Sequence, residues 1–159
     1  MPRDAVYDYI VVGAGSAGCV LAHRLSEEAS TTVLLLEAGA PDRALTLHMP
    51  AAFATCFKSR YDWAYETVPQ PHLQQRRLYW PRGKVLGGSS AINAMIYTRG
   101  HPSDYDHWYA LGNPGWRFAE VLPYFKRGEH HEGGASAYHG VGGPLHVTDL
   151  RYTHADIPH

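Results

Sequence analysis

The sequence predicts an α/β fold built around a parallel strand–helix–strand unit, and three observations carry that expectation. A short apolar, β-branched run, Tyr9-Ile10-Val11-Val12, ends at a glycine. Apolar residues then recur at helical spacing between Ser16 and Glu28. A second apolar run, Thr32-Val33-Leu34-Leu35-Leu36, closes on the acid Glu37. Short β-branched runs bounded by turn residues read as buried strands. Together the three segments have the length of roughly 30 residues that a parallel crossover needs.

The elements follow in order. In the first helix Val20, Leu21, Ala22 and Leu25 share a face, and Glu27 and Glu28 end the amphipathic pattern. From Ala38 to Pro81 the signal weakens, because Pro41, Pro50, Pro69, Pro71 and Pro81 interrupt any long helix. Trp63–Val68, aromatic and β-branched, predicts a strand with Leu78-Tyr79-Trp80 as its partner. Gly83–Gly88 is a glycine-rich turn leading into a helix start at Ser89–Met95, with Ser89 or Ser90 as the N-cap. Ser103–Tyr109 and Phe118–Lys126 predict short helices. Glu129–Gly143, rich in Gly and His, predicts a loop, and Pro144–Thr148 a last strand. No internal repeat and no interdomain linker is visible.

Composition narrows the function classes. A chain of 159 residues, 45% apolar and 18% charged, suits one globular domain with a modest core. With a formal net charge of −1 and no basic stripe, nothing supports a nucleic-acid partner. No apolar run approaches the roughly 20 residues of a membrane span. The first residues lack the apolar core and cleavage site of a secretory signal, so the cytoplasm is the expected compartment. Cys19 and Cys56 form no Cys-x-x-Cys pair and are expected to be buried small hydrophobes.

Gly13-Ala14-Gly15-Ser16-Ala17-Gly18 fits G-x-G-x-x-G with a strand before it and a helix opening within it. Gly13 allows the tight turn, Gly15 lets backbone approach a diphosphate, and Gly18 lets the helix pack on the strand. Free N–H groups and the helix dipole then face the anion. Glu37, about 20 residues on, stands where an acid accepts a ribose hydroxyl, which disfavours a 2′-phosphate. Two other readings stay open: a structural turn without a ligand, and Ser16 as a hydrolase nucleophile. The nucleophile elbow wants glycine two residues before the serine, where this chain has Ala14. The motif by itself does not separate FAD from NAD.

A second turn, Pro81-Arg82-Gly83-Lys84-Val85-Leu86-Gly87-Gly88-Ser89-Ser90-Ala91-Ile92-Asn93-Ala94-Met95-Ile96-Tyr97, opens the next helix or lets backbone lie close to a ligand. Gly83 through Asp106, including Asn93, Tyr97 and Gly100, resembles the first signature of the glucose–methanol–choline (GMC) oxidoreductases. Tyr9–Gly18, Leu36–Gly39, Trp80–Lys84, Arg99–Tyr105, Tyr138–Gly140 and Gly142–Leu145 also resemble that family, closest to its choline dehydrogenase and alcohol dehydrogenase branch. The resemblance runs from about Tyr7 to about Leu150.

The resemblance implies a partial Rossmann-like FAD/NAD(P)-binding domain of GMC type, cut short before the substrate domain is complete. Residues 1–150 would be an incomplete N-terminal FAD-binding domain, and 151–159 a divergent tail. FAD is the implied cofactor. Gly13, Gly15 and Gly18 would face its diphosphate and Glu37 its adenosine ribose, with Ser16, Ala17 and Ala38 also among the cofactor-binding residues. Val85, Gly88, Asn93, Ala94, Met95 and Ile96 would run along the flavin end. Some members attach the flavin to a histidine in the second motif; Ile92 stands there in this chain, so dissociable FAD is expected. The implied chemistry is hydride transfer from an alcohol to the flavin. The histidine that handles the proton lies near the family's C-terminus, so no residue of this chain inherits that role.

The implied partners are FAD, an alcohol substrate in a full-length context, and a C-terminal half. Without later strands the sheet should keep an unpaired edge and exposed apolar surface. The other function weighed is a non-catalytic FAD-binding fragment or assembly partner. Of eleven histidines, His130, His131, His139 and His146 lie in or near the expected loop, and no usual short ligand spacing marks a metal site.

Overall fold

β1 (Tyr9–Val12), α1 (Ser16–Leu25) and β2 (Val33–Leu36) form the expected parallel unit in the computed structural model, which describes residues 5–151. The strands pair with Tyr9 opposite Val33 and Val12 opposite Leu36. Asp8 sets that register: its Oδ2 accepts both the backbone N–H of Thr32 at 2.8 Å and the Thr32 hydroxyl at 2.7 Å. α1 ends at Leu25, three residues before the expected limit at Glu28, with Ser26 as its C-cap.

The chain divides into two units, one ending at Ile96 and the other beginning at Tyr97. In the first, a short helix α2 (Leu45–His48) and a 3-10 segment, Pro50–Cys56, fill the proline-rich stretch. Pro50 opens that segment, a position where its missing N–H costs nothing. β3 (Tyr65–Glu66) pairs antiparallel with β4 (Tyr79–Trp80), as the aromatic pattern predicts. The core joins Cys56, Tyr61, Val85 and Ile92, with Ala44, Leu47, Phe57 and Ala91 packed against it.

Two expectations in this unit are corrected. Ser89–Met95 does not open an α-helix; a single 3-10 turn, Gly88–Ala91, is all that forms. Its N-cap is Gly87, not a serine, because both hydroxyls are engaged elsewhere. Ser89 Oγ accepts the Gly83 N–H at 3.1 Å, and Ser90 Oγ donates to the Gly87 carbonyl at 2.7 Å. Cys19 is exposed, whereas Cys56 is buried as expected. The α1 face carrying Cys19 and Val20 meets no second layer among the described residues.

In the second unit α3 (Pro102–Ala110) and α4 (Phe118–Gly128) match the predicted helices. In each helix an acid of the first turn, Asp104 or Glu120, accepts the backbone N–H of the N-cap residue, His101 or Arg117. Tyr105 gathers Trp108, Phe118 and Phe125 at ring separations of 5.5–5.9 Å. The expected loop Glu129–Gly143 begins instead as a strand, β5 (Glu129–His131), parallel to β6 (Leu145–Val147). A short β5 rich in His gives no apolar alternation to read, so only tertiary pairing reveals it. No described helix is long and apolar enough to cross a membrane.

Candidate cofactor site

The two glycine turns, about 70 residues apart in sequence, lock onto each other. Gly87 donates its N–H to the Ala14 carbonyl at 2.8 Å, and Leu86 donates to the Ala40 carbonyl at 3.0 Å. The contact is tight enough that a Cβ on Gly88 would lie 2.8 Å from Gly15 Cα. At Gly18 a Cβ would lie 1.8 Å from the Gly13 carbonyl oxygen, which is the helix-on-strand packing that the third glycine of such a turn serves. Around Gly13 a Cβ would meet nothing within 4 Å, so that side of the turn opens onto free space.

That space is a cleft of about 600 Å³ lined by Val12, Gly13, Gly15, Leu36, Glu37 and Ala38 together with Trp63, Tyr65, Arg82, Gly83, Gly88 and Ser89. Glu37 also closes the turn. Its Oε2 accepts the Ala14 N–H at 2.7 Å and its Oε1 the Gly39 N–H at 2.8 Å. A carboxylate has about four lone-pair sites, so two acceptor positions stay available to a ribose.

The remaining sequence-predicted positions divide. Ser16 and Ala17 are exposed in the first turn of α1. Asn93, Ala94, Met95 and Ile96 are exposed, with Asn93 Oδ1 accepting the Met95 N–H at 2.8 Å and Met95 held at φ 58°. Val85 is different: the whole residue is buried in the core and does not line the cleft. Ser16 has no general base beside it in the cleft, whose lining holds no His.

Sequence reading missed Gly39, Gly83 and Asp62. A Cβ on Gly39 would lie 2.1 Å from Val85 N, and one on Gly83 2.1 Å from the Gly88 carbonyl oxygen. Gly39 thus lets the chain after β2 pack against the second turn, Gly83 lets that turn close on itself, and their place inside the quoted motifs was the available signal. Asp62 carried none. It is buried, yet its carboxylate accepts N–H groups from Ala64 at 3.0 Å, Lys58 at 2.9 Å and Arg82 at 2.9 Å, and the Tyr79 hydroxyl. Burial pushes its carboxyl up, but those bonds outweigh it and hold the pKa at about 2.

The second unit brings together a cluster that spacing did not suggest. Glu129, His131 and His139 place potential ligand atoms within 4.8 Å of one another. The carboxylate is already committed, however. Glu129 Oε2 accepts from Arg99 Nη2 at 2.8 Å and from the Gly140 N–H at 2.8 Å, while Oε1 meets His139 Nδ1 at 2.9 Å. A cation would meet the guanidinium at contact range, so this cluster reads as a structural knot joining β5, the 140 turn and Arg99. Burial pushes the Glu129 carboxyl up, and the Gly140, His139 and Arg99 contacts more than reverse that, leaving it below the usual carboxylate range.

A family profile described as GMC oxidoreductase matches residues 7–157. The chain is 54% identical over 141 residues to an oxygen-dependent choline dehydrogenase of Sinorhizobium fredii, covering 88% of this chain and 26% of that protein. Among solved structures it resembles pyridoxine 4-oxidase from Mesorbium loti, with 43% identity, a TM-score of 0.82, and coverage of 89% of this chain and 28% of that one. It also resembles an FAD-dependent oxidoreductase from Chaetomium thermophilum, with 36% identity, a TM-score of 0.82, and coverage of 94% and 28%. The chain therefore spans about a quarter of the length of the relatives it matches.

Proposed function

The chain belongs to the GMC oxidoreductase family, and from that membership we propose that it is the N-terminal FAD-binding portion of a flavin-dependent oxidoreductase acting on the CH–OH group of an alcohol, as a choline dehydrogenase does. One observation carries the reading: two glycine turns held together by the Gly87–Ala14 hydrogen bond, with open space at Gly13 and a cleft bounded by Glu37. The cleft suits an extended dinucleotide, since α1 turns its N-terminus and free backbone toward it.

In this reading Gly13, Gly15, Ser16, Ala17 and Gly18 hold the diphosphate, while Glu37 and Ala38 hold the adenosine ribose. Gly88, Asn93, Ala94, Met95 and Ile96 line the flavin end, and the buried Val85 supports Gly88, whose N–H it accepts at 2.7 Å. FAD bound there would supply the hydride acceptor for alcohol oxidation. Ile92 is a buried aliphatic side chain, so it supports dissociable binding without a covalent link. Residues 1–150 are the nucleotide-binding region of this proposal; the tail expected at 151–159 lies, from 152 onward, outside the described residues.

A second reading has its own support. Val12 is 82% exposed and Ile10 59% exposed, although strands of a parallel sheet are ordinarily covered on both faces. Among the described residues β1 pairs only with β2. This favours a non-catalytic FAD-binding fragment that assembles with a further polypeptide supplying the rest of the sheet and the catalytic histidine.

The test is the visible absorbance of the purified chain after FAD is added and excess removed by desalting. Flavin bands that stay with wild-type protein and vanish in Gly18→Val support the proposal. A colourless wild type would overturn FAD binding by the chain alone.

A further inference from the structure

The unit beginning at Tyr97 holds a cavity of its own, of about 440 Å³, whose lining includes Tyr97, Arg99, Phe118, Tyr138 and His139. None of the residues assigned to FAD lines it. Its apolar part is aromatic: the Phe118 and Tyr138 rings stand 6.3 Å apart, tilted by 40°.

Hydrogen bonds join two of the lining residues through the interior. The Tyr97 hydroxyl accepts from Arg99 Nη2 at 3.2 Å, and the same Nη2 donates to Glu129 Oε2 at 2.8 Å. Glu129 Oε1 in turn meets His139 Nδ1 at 2.9 Å. The chain runs Tyr97–Arg99–Glu129–His139, and both of its ends line the same cavity. Its middle is hidden, with the Glu129 side chain wholly buried and that of Arg99 mostly so.

That chain fixes what each end offers. The ionised Glu129 carboxylate only accepts, so His139 Nδ1 carries the proton between them. In the neutral imidazole Nε2 is then a bare acceptor, and it has no hydrogen-bond partner among the described residues. His131, 4.1 Å away ring to ring, covers one face of His139. At the other end Tyr97 accepts from Arg99, which leaves its O–H to donate. Arg99 and Glu129 offset each other's charge. An acceptor and a donor beside aromatic faces, with no net charge, suit one neutral group that both donates and accepts: a hydroxyl on an aromatic ring.

From this geometry we propose that the cavity binds a small neutral phenol, whose hydroxyl donates to His139 Nε2 and accepts from the Tyr97 O–H while its ring lies against Phe118 and Tyr138. A phenolic O–H, with a pKa of about 10, is acidic enough to be a good donor to imidazole and still neutral in ordinary buffer. Arg99 and Glu129 act from behind: they set the tautomer of His139 and the direction of the Tyr97 hydroxyl. Since the residues assigned to FAD all precede Tyr97, the proposal stands apart from the cofactor reading.

The test titrates the full chain, labelled with nitrogen-15 histidine, with p-cresol and separately with toluene, which lacks the hydroxyl, at mildly alkaline pH. Ligand-detected NMR gives the affinities. p-Cresol should move the Nε2 resonance of His139, assigned by its absence from His139→Gln, and toluene should not. Toluene should also bind about tenfold more weakly, the scale of the lost hydrogen bonds. Tyr97→Phe and His139→Gln should each weaken p-cresol severalfold and leave toluene unchanged. Circular dichroism reports the fold of each variant; should His139→Gln fail to fold, Tyr97→Phe and the two wild-type titrations decide. The proposal is overturned if wild type binds p-cresol no more tightly than toluene, if it binds neither, or if the folded variants bind p-cresol like wild type. A spectrum placing the His139 proton on Nε2 overturns it as well.

Discussion

Glu37, at the end of β2, reaches back to the first glycine turn and accepts the Ala14 N–H at 2.7 Å. The same carboxylate accepts the Gly39 N–H. It therefore shapes the turn before any ribose arrives. Glu37→Ala should lower stability by about 2–3 kcal/mol, the scale of losing hydrogen bonds to a charged acceptor, and should also abolish FAD retention. Urea unfolding read beside flavin absorbance checks both. Unchanged stability would mean the clamp is idle.

Gly88→Ala tests the packing of turn on turn. The new methyl would lie 2.8 Å from Gly15 Cα, and Gly88 sits at φ 57°, where a side chain is strained. We expect FAD retention to be lost, whereas Gly128→Ala, which meets open space, should leave it intact. Equal behaviour of the two variants would refute close approach as the cause.

Asp62 predicts acid sensitivity of the unit that ends at Ile96. Its folded pKa of about 2 lies below the ordinary aspartate value of 3.8, so ionisation favours the folded state. The contribution is complete above 3.8 and is lost as pH falls through that value toward 2. Asp62→Ala should flatten this part of the stability profile. Fluorescence-monitored unfolding between pH 5 and pH 2 is the measurement.

Arg99→Ala should destabilise the unit beginning at Tyr97 by about 3–5 kcal/mol, because Glu129 would remain as a buried charge without its guanidinium. Arg99→Ala together with Glu129→Gln should recover part of the loss. A double-mutant cycle showing no coupling between the two positions would contradict the knot.

Ile10→Lys addresses the exposed face of β1. In the isolated chain it should reduce self-association, measured by sedimentation, while FAD retention is unchanged. In an assembly with a sheet-completing polypeptide it should prevent association. Indifference in both settings would remove the case for a covering partner.

The strand–turn–helix–strand unit was legible because its cues are local. Apolar runs at Tyr9–Val12 and Val33–Leu36 and the glycines between them fix backbone shape within about 30 residues. Helices α3 and α4 formed close to the expected residues, and the structure adds an acid in the first turn of each that accepts the N-cap N–H. The 3-10 turn at Gly88–Ala91 was misread as a helix start because glycine followed by two serines suits either, and only its contact with Gly15 decides between them.

Sequence alone determined the family resemblance, the glycine turn and its paired acid Glu37. Tertiary structure decided which further groups line the cleft with them. Asp62, Trp63 and Arg82 carry no spacing that a linear pattern could register. They meet because Asp62, a single buried carboxylate, satisfies donors from segments about 20 residues apart, and burial makes leaving those donors unpaired too costly. Glu129, His131 and His139 converge likewise only once β5 pairs with β6 and the 140 turn folds back upon it.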